Sequence, residues 1–200
     1  MSSPTRWAGV PLTDRRIERR ALLIAAAFAL FGEGGEVAVS VRSVCRESAL
    51  NTRYFYESFT DTDELLGAVY DKVADEMNEA VAAAIDAVDG TDVDRMRAGV
   101  RAVLGFSSAD PRRGRVLFTE ARANPVLTAR RQIAQETLRQ MVRSQREHAH
   151  PGGDDTATLV AAAMFTGAMA ELAQQWLSGG LGDDLDAVVD HAVRFVLLTS

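Results

Sequence analysis

The stretch Ser48 to Phe59, SALNTRYFYESF, sets Tyr54, Phe55, Tyr56 and Phe59 around a single arginine, Arg53. A guanidinium can donate two parallel hydrogen bonds to O6 and N7 of a guanine, a pair that discriminates between bases by about 1–3 kcal/mol. Thr52 and Tyr54 can read a base edge or a thymine methyl. Ser40 and Asn51, each placed where a helix would begin, and the hydroxyl of Tyr56 suit phosphate oxygens better, because exposed main-chain amides already favour an anion there. Arg42, early on its helix, suits either purpose. On a helix that begins at Thr52, Phe55 and Phe59 lie four apart and anchor inward, which leaves Thr52, Arg53 and Tyr56 largely outward. These residue types at this spacing point to the groove of a duplex.

Three short helices must position that stretch. The first begins near Thr13 or Asp14, with Ile17, Ala21, Ile24, Phe28 and Phe31 on one face at steps of four and three. Arg15, Arg16, Arg19 and Arg20 fall elsewhere, as phosphate contacts or as a solvated face. Gly32, Gly34 and Gly35 stop the helix. Ser40 caps a second helix whose inward stripe is Val41, Val44 and Cys45, and Asn51 caps a third of about two turns. Two helices separated by a tight turn match the helix-turn-helix plan, in which the later helix enters the major groove.

Here the chain resembles a known family. IERRALLIAAAFALFGEGG, VSVRSVCRESALNTRYFYESF and TDTDELLGAVYDKV follow one another as in the DNA-binding domain of the TetR family of bacterial transcriptional regulators. Tyr56 and Phe59 occupy the family's tyrosine and phenylalanine positions in the recognition helix. Two departures stand out. Ala49 replaces the usual glycine of the turn, so it either adopts a left-handed conformation at a cost or bends a different turn. Thr62, between Asp61 and Asp63, replaces a frequent lysine at the start of the fourth helix, which removes a phosphate contact and adds repulsion.

Beyond the head, Asp61 and Glu64 form a capping-box pattern ahead of a long helix carrying Leu65, Val69, Val73, Met77 and Ala80. Further helices are expected near 91–106, 112–122, 125–148, 154–178 and 183–198, with Asp110-Pro111 and Asn124-Pro125 as helix starts. The expected fold is all-α with nine helices: a helix-turn-helix domain over 1–60, of which 1–12 is a flexible arm with Arg6 and Trp7, and an effector-binding and dimerisation domain over 61–200. The resemblance implies an effector cavity in that body. Phe106, Phe118, Met141, Met164, Phe165 and Trp176 are apolar candidates for its lining, although such residues at helical spacing also make plain core. Leu159, Ala168 and Leu172 on one helix and Leu185, Val189, Ala192 and Val196 on the last give broad apolar faces that a second copy of the chain would cover. The family buries these two helices in a four-helix dimer interface.

Composition narrows the classes. The formal net charge is −6, yet residues 1–60 hold eight arginines against six acidic residues, and the acidic excess lies in the rest. A mildly basic head on an acidic body implies two tasks. The one cysteine, Cys45, fits a reducing compartment and reads as a small buried hydrophobe. Ala21 to Gly32 is too short to span a bilayer, so a cytoplasmic protein without a membrane is expected. His148 and His150 lack companions for a metal site, no phosphate loop or nucleophile motif occurs, and neither an enzyme nor a cofactor is expected. The expected function is a homodimeric repressor that binds a pseudo-palindromic duplex operator and is released by a small apolar effector. The alternative is an all-α ligand-binding or protein-interaction module that does not bind DNA.

Overall fold

The computed structural model describes residues 12–119, 124–149 and 155–198, and among them it contains nine α-helices and no strand. The all-α expectation holds. Compactness divides the chain into Met1–Tyr70 and Asp71–Ser200, so the boundary falls inside a helix, after its first turns. The expected arm and its Arg6 and Trp7 lie outside the described residues.

In the first unit, α1 runs Leu12–Gly34 and stops where Gly35 takes a positive φ of 69°. Leu23, Ile24, Ala26, Ala27 and Phe31 are buried on it, whereas Ile17 is 65% exposed and Ala21 also faces outward. The inward stripe expected from Ile17 onward therefore starts only at Leu23. In the first turns the arginine side of the helix faces its neighbour: the Arg20 guanidinium lies 4.7 Å from the centroid of the Phe59 ring. A 3₁₀ turn, Glu36–Ala38, leads to α2, Val41–Glu47. Ser40 accepts from the Ser43 amide while the Ser43 hydroxyl accepts from the Ser40 amide, so serine does the work usually done by a longer side chain at the third position. Val44 and Cys45 are buried, and burial raises the Cys45 thiol above its ordinary pKa, which keeps it protonated and unreactive.

The turn after α2 is a Schellman motif. The Leu50 amide donates to the Cys45 carbonyl at 3.0 Å and the Ala49 amide to that of Arg46 at 3.3 Å. Ala49 itself sits at φ 53°. A side chain in this left-handed region costs roughly 1–2 kcal/mol, while glycine restores about 0.5–1 kcal/mol of unfolded-state entropy. Ala49→Gly should therefore stabilise the head by about 0.5 kcal/mol or slightly more, read as a higher urea midpoint at unchanged slope; a lower midpoint would contradict the strain. Helix α3, Thr52–Tyr56, follows at once, and α4, Thr62–Asp86, begins beyond the next turn. Leu65, Leu66, Val69, Tyr70 and Val73 of α4 are buried.

In the second unit, α5 is Asp92–Ala109, α6 is Pro111–Gly114, α7 is Pro125–Ala149, α8 is Asp155–Leu177 and α9 is Leu185–Leu198. Thr91, Asp110, Asn124 and Asp184 cap four of them with side-chain oxygens. In the described part of the helix expected over 112–122, one α-turn is continued by a π-helical turn, Arg115–Thr119, and residues 120–122 lie outside the described residues. Val100 and Leu104 of α5, Ala173 of α8 and Val188, Val189 and Val193 of α9 form the core of this unit. Arg97 reaches Asp190 at 2.9 Å and Arg101 pairs with Asp186, which ties α5 to α9 at the surface.

Gly114 is buried where α6 meets α8. A Cβ there would stand 2.5 Å from Leu177 Cδ1 and 3.1 Å from Cγ. Gly114→Ala is expected to destabilise by about 1–3 kcal/mol through overpacking. The double variant with Leu177→Ala should lose less than the two single losses together, because the clash is then gone. Strict additivity in urea denaturation would rule out this contact as the cause.

A candidate duplex-reading surface on the third helix

A five-residue helix does not hold itself together in water. Helix α3 is held by its ends and by one ring. The Asn51 carboxamide oxygen accepts from the Tyr54 amide at 3.2 Å. Phe55 is fully buried and packs on Phe59, with ring centroids 6.0 Å apart, while Tyr56 meets it edge-on at 5.3 Å. With Phe55 inside, Asn51, Thr52, Arg53 and Tyr56 are exposed, as are Ser40 and Arg42 at the start of α2. Arg53 leaves 82% of its side chain accessible and Tyr56 is 62% exposed. The structure therefore places the hydroxyls, the amide and both arginines of the sequence-derived set on the surface. Tyr54 differs: it is half-buried, and the Arg19 guanidinium lies 4.2 Å over its ring, so one face of that ring is already occupied.

Glu57 organises the back of this surface, a role the sequence reading did not assign. Its Oε1 accepts from Arg53 Nε at 2.9 Å and its Oε2 faces Arg19 Nη1 at 3.3 Å. Its main-chain carbonyl accepts from Arg16 Nη2 at 2.8 Å. Arg16, Arg19 and Arg20 are thus fastened to the Tyr54–Phe59 segment, neither a bare solvated face nor a row of free phosphate donors. The four-residue spacing of Arg53 and Glu57 was a usable signal; no spacing rule links Arg19 to Glu57 across the turns between them.

At the start of α4, Glu64 accepts from the main-chain amide of Thr60 at 2.7 Å and from its hydroxyl at 2.8 Å. The Asp61 carboxylate accepts from the Glu64 amide at 2.8 Å. The main-chain donation from Thr60 comes first among the causes that hold the Glu64 carboxyl below its ordinary pKa, followed by the hydroxyl. Carboxylates, not a lysine, therefore flank the start of α4.

The body residues distribute less simply. Phe118 and Trp176 pack against the core of the unit, Phe106 is half-buried under the Arg113 guanidinium at 4.3 Å, and Phe165 is half-buried. Met164 is 57% exposed, so it faces away from any interior cavity of this chain. The Met141 side chain lies outside the described residues. Among the residues assigned to a subunit interface, Leu159 and Ala168 are exposed and Val196 is half-buried. Leu172, Leu185 and Ala192 are partly taken up by their own core, and Val189 is wholly buried there, which removes it from any surface. An amphipathic pattern marks a face as apolar but does not say which neighbour covers it. Val160, Phe195 and Leu197, outside that set, are exposed on the same two helices.

Among the described residues no three histidine, cysteine, aspartate or glutamate side chains gather as a metal site, and no helix is long and apolar enough to cross a membrane. His150 and the side chain of His148 lie outside them.

The family profile described as bacterial regulatory proteins of the tetR family matches residues 23–69. Among curated proteins no relative matches in sequence. Solved structures share the fold. The fatty acid degradation regulator FadR from Bacillus halodurans aligns with a TM-score of 0.72 at 17% identity, covering 90% of this chain and 94% of its own. A TetR-like transcriptional regulator from Rhodococcus sp. RHA1 gives 0.66 at 19%, with coverages of 90% and 93%. The regulator FadR from Bacillus subtilis, in complex with stearoyl-CoA, gives 0.70 at 16%, with coverages of 88% and 96%. The matched segment runs from the buried part of α1 through α3 into the buried start of α4, so it is in this N-terminal domain that the chain is similar to the tetR family of bacterial regulatory proteins.

Proposed function

We propose that this chain is a homodimeric cytoplasmic repressor that binds a pseudo-palindromic operator through two copies of α3 and leaves it when a small, largely apolar effector binds the body. The observation that carries the reading is the exposed row of Thr52, Arg53 and Tyr56 on a helix pinned from behind by Phe55. Arg53 pairs with a guanine, Thr52 contacts a neighbouring base, and Tyr56, Ser40, Asn51 and Arg42 fix the register on phosphates. Two such helices on one face of a duplex stand about one helical turn apart, roughly 34–36 Å, or a multiple of it.

Dimerisation is supported by apolar side chains that α8 and α9 leave exposed, Leu159, Val160, Met164 and Leu197. Ala168 beside them permits close approach. The effector reading is supported by buried polar atoms: Trp176 Nε1 and Gln174 Oε1 have no hydrogen-bond partner among the described residues. A ligand acceptor that reaches Trp176 Nε1 would satisfy it, with Phe106, Phe118 and Phe165 as apolar lining. Helix α4, which starts in the head and ends in the body, links effector to operator. An effector that prefers a different spacing of the heads shifts the population away from the DNA-binding arrangement. Since Bacillus subtilis FadR holds stearoyl-CoA, acyl-CoA thioesters are a reasonable first set of effector probes.

Selection of duplexes from a random pool by the purified chain, at two salt concentrations, tests the reading. An inverted repeat whose enrichment weakens with salt supports it. Enrichment of nothing at low salt leaves the module that does not bind DNA.

A further inference from the structure

We infer that Glu57 is a specificity-setting residue: it orients Arg53 for one base and, by its negative charge, holds the head off non-specific DNA. This rests on the DNA-binding reading above. A freely rotating arginine reads poorly, because its rotamer freedom must be lost on every encounter. Here Glu57 Oε1 takes Arg53 through Nε alone, which leaves both terminal nitrogens of the fork to a base edge. The carboxylate is itself fixed, since Oε2 is met by Arg19 and Arg19 is seated on the Tyr54 ring. Arg16 anchors the same residue through its carbonyl. The chain of contacts runs from α1, through Glu57, to the one arginine on α3.

The carboxylate also has a cost for binding. It lies behind the surface that meets the duplex with 38% of its side chain exposed, close to Asp61, Asp63 and Glu64 in sequence, and nearby phosphates repel it. Loss of that charge should help all sequences alike, whereas loss of the orientation should affect only the base pair that Arg53 reads. The two effects have opposite signs, which makes them separable.

The test compares the wild-type chain with Glu57→Ala and Glu57→Gln on the selected duplex, on that duplex with each base pair changed in turn, and on random duplex. Glu57→Ala should bind random duplex about fivefold tighter at low salt. Its discrimination at the single base pair per half-site that Arg53→Ala also loses should fall about tenfold. Glu57→Gln should show the same gain on random duplex with a smaller loss of discrimination, since its amide oxygen still accepts from Nε. Glu57→Ala that keeps discrimination at that base pair, or loses it evenly at all base pairs as a merely structural residue would, overturns the inference. A wild-type chain that selects no duplex overturns the DNA-binding reading and this inference with it.

Discussion

Phe55→Ala is expected to destabilise the head by about 3–5 kcal/mol, the range for a buried phenylalanine cut to alanine, and to remove sequence-selective DNA binding with it. Phe55 is fully buried and is the only residue of α3 that is. A five-residue helix has no intrinsic stability to fall back on. What keeps Thr52 and Arg53 in place is therefore the Phe55 ring against Phe59 and its edge contact with Tyr56. Against a typical domain stability of roughly 5–15 kcal/mol, the loss is a large share of the total. Urea denaturation followed by circular dichroism measures it, with Phe55→Leu as the control that keeps most of the volume and should lose under about 1.5 kcal/mol. If alanine and leucine behave alike, the ring is not the anchor.

The head was legible from sequence because its signals are local. Ser40 and Asn51 cap helices where their side chains said they would, Val44, Cys45, Phe55 and Phe59 are buried as their spacing required, and Ala49 adopts the left-handed conformation, the first of its two expected options. What was missed depends on who sits opposite. Ile17 and Ala21 continue the period of Ile24 and Phe31, but at that end of α1 the side facing α3 is the arginine side, so the apolar pair is left outside. Periodicity fixes which residues share a face and is silent on which face wins a partner when both can make favourable contacts, one by burial and one by cation–π contact and ion pairing. Arg19 over Tyr54 was invisible for the same reason.

The body was less legible because its helices have several neighbours. Val189 and Met164 illustrate this: the first, assigned to a subunit interface, is buried in the core of its own unit, and the second, assigned to an interior pocket, is exposed in the single chain. Both belong to helices with apolar residues on more than one side, where a stripe cannot be read from hydrophobicity alone. The π-helical turn at Arg115–Thr119 has no sequence rule to announce it. A register change of this kind rotates the following side chains relative to an unbroken helix, so the phase of Phe118 could not be extrapolated from α6.

Arg53→Ala carries the largest expected effect on function. One bidentate arginine–guanine pair is worth about 1–3 kcal/mol, and the proposed dimer uses two, so the selected operator should be bound by the variant between about thirtyfold and about twenty-thousandfold more weakly. The sequence-selective part of the loss should be confined to one base pair in each half-site, with random duplex bound only about fivefold more weakly through the lost charge. Salt dependence separates a base reader from a phosphate contact: removing Arg53 should leave the slope of log affinity against log salt nearly unchanged, whereas Arg42→Ala should reduce its magnitude by about one unit per head if that residue neutralises a phosphate. Stability should hardly change, because Arg53 is the most exposed partner of its ion pair and such pairs contribute about 0–1 kcal/mol. Fluorescence anisotropy titrations at three salt concentrations, on the operator and on its single-base variants, give all of these quantities at once. A uniform loss across sequences with a shallower salt slope would reassign Arg53 to the phosphate backbone and leave Thr52 and the half-buried Tyr54 as the remaining candidate base readers on α3.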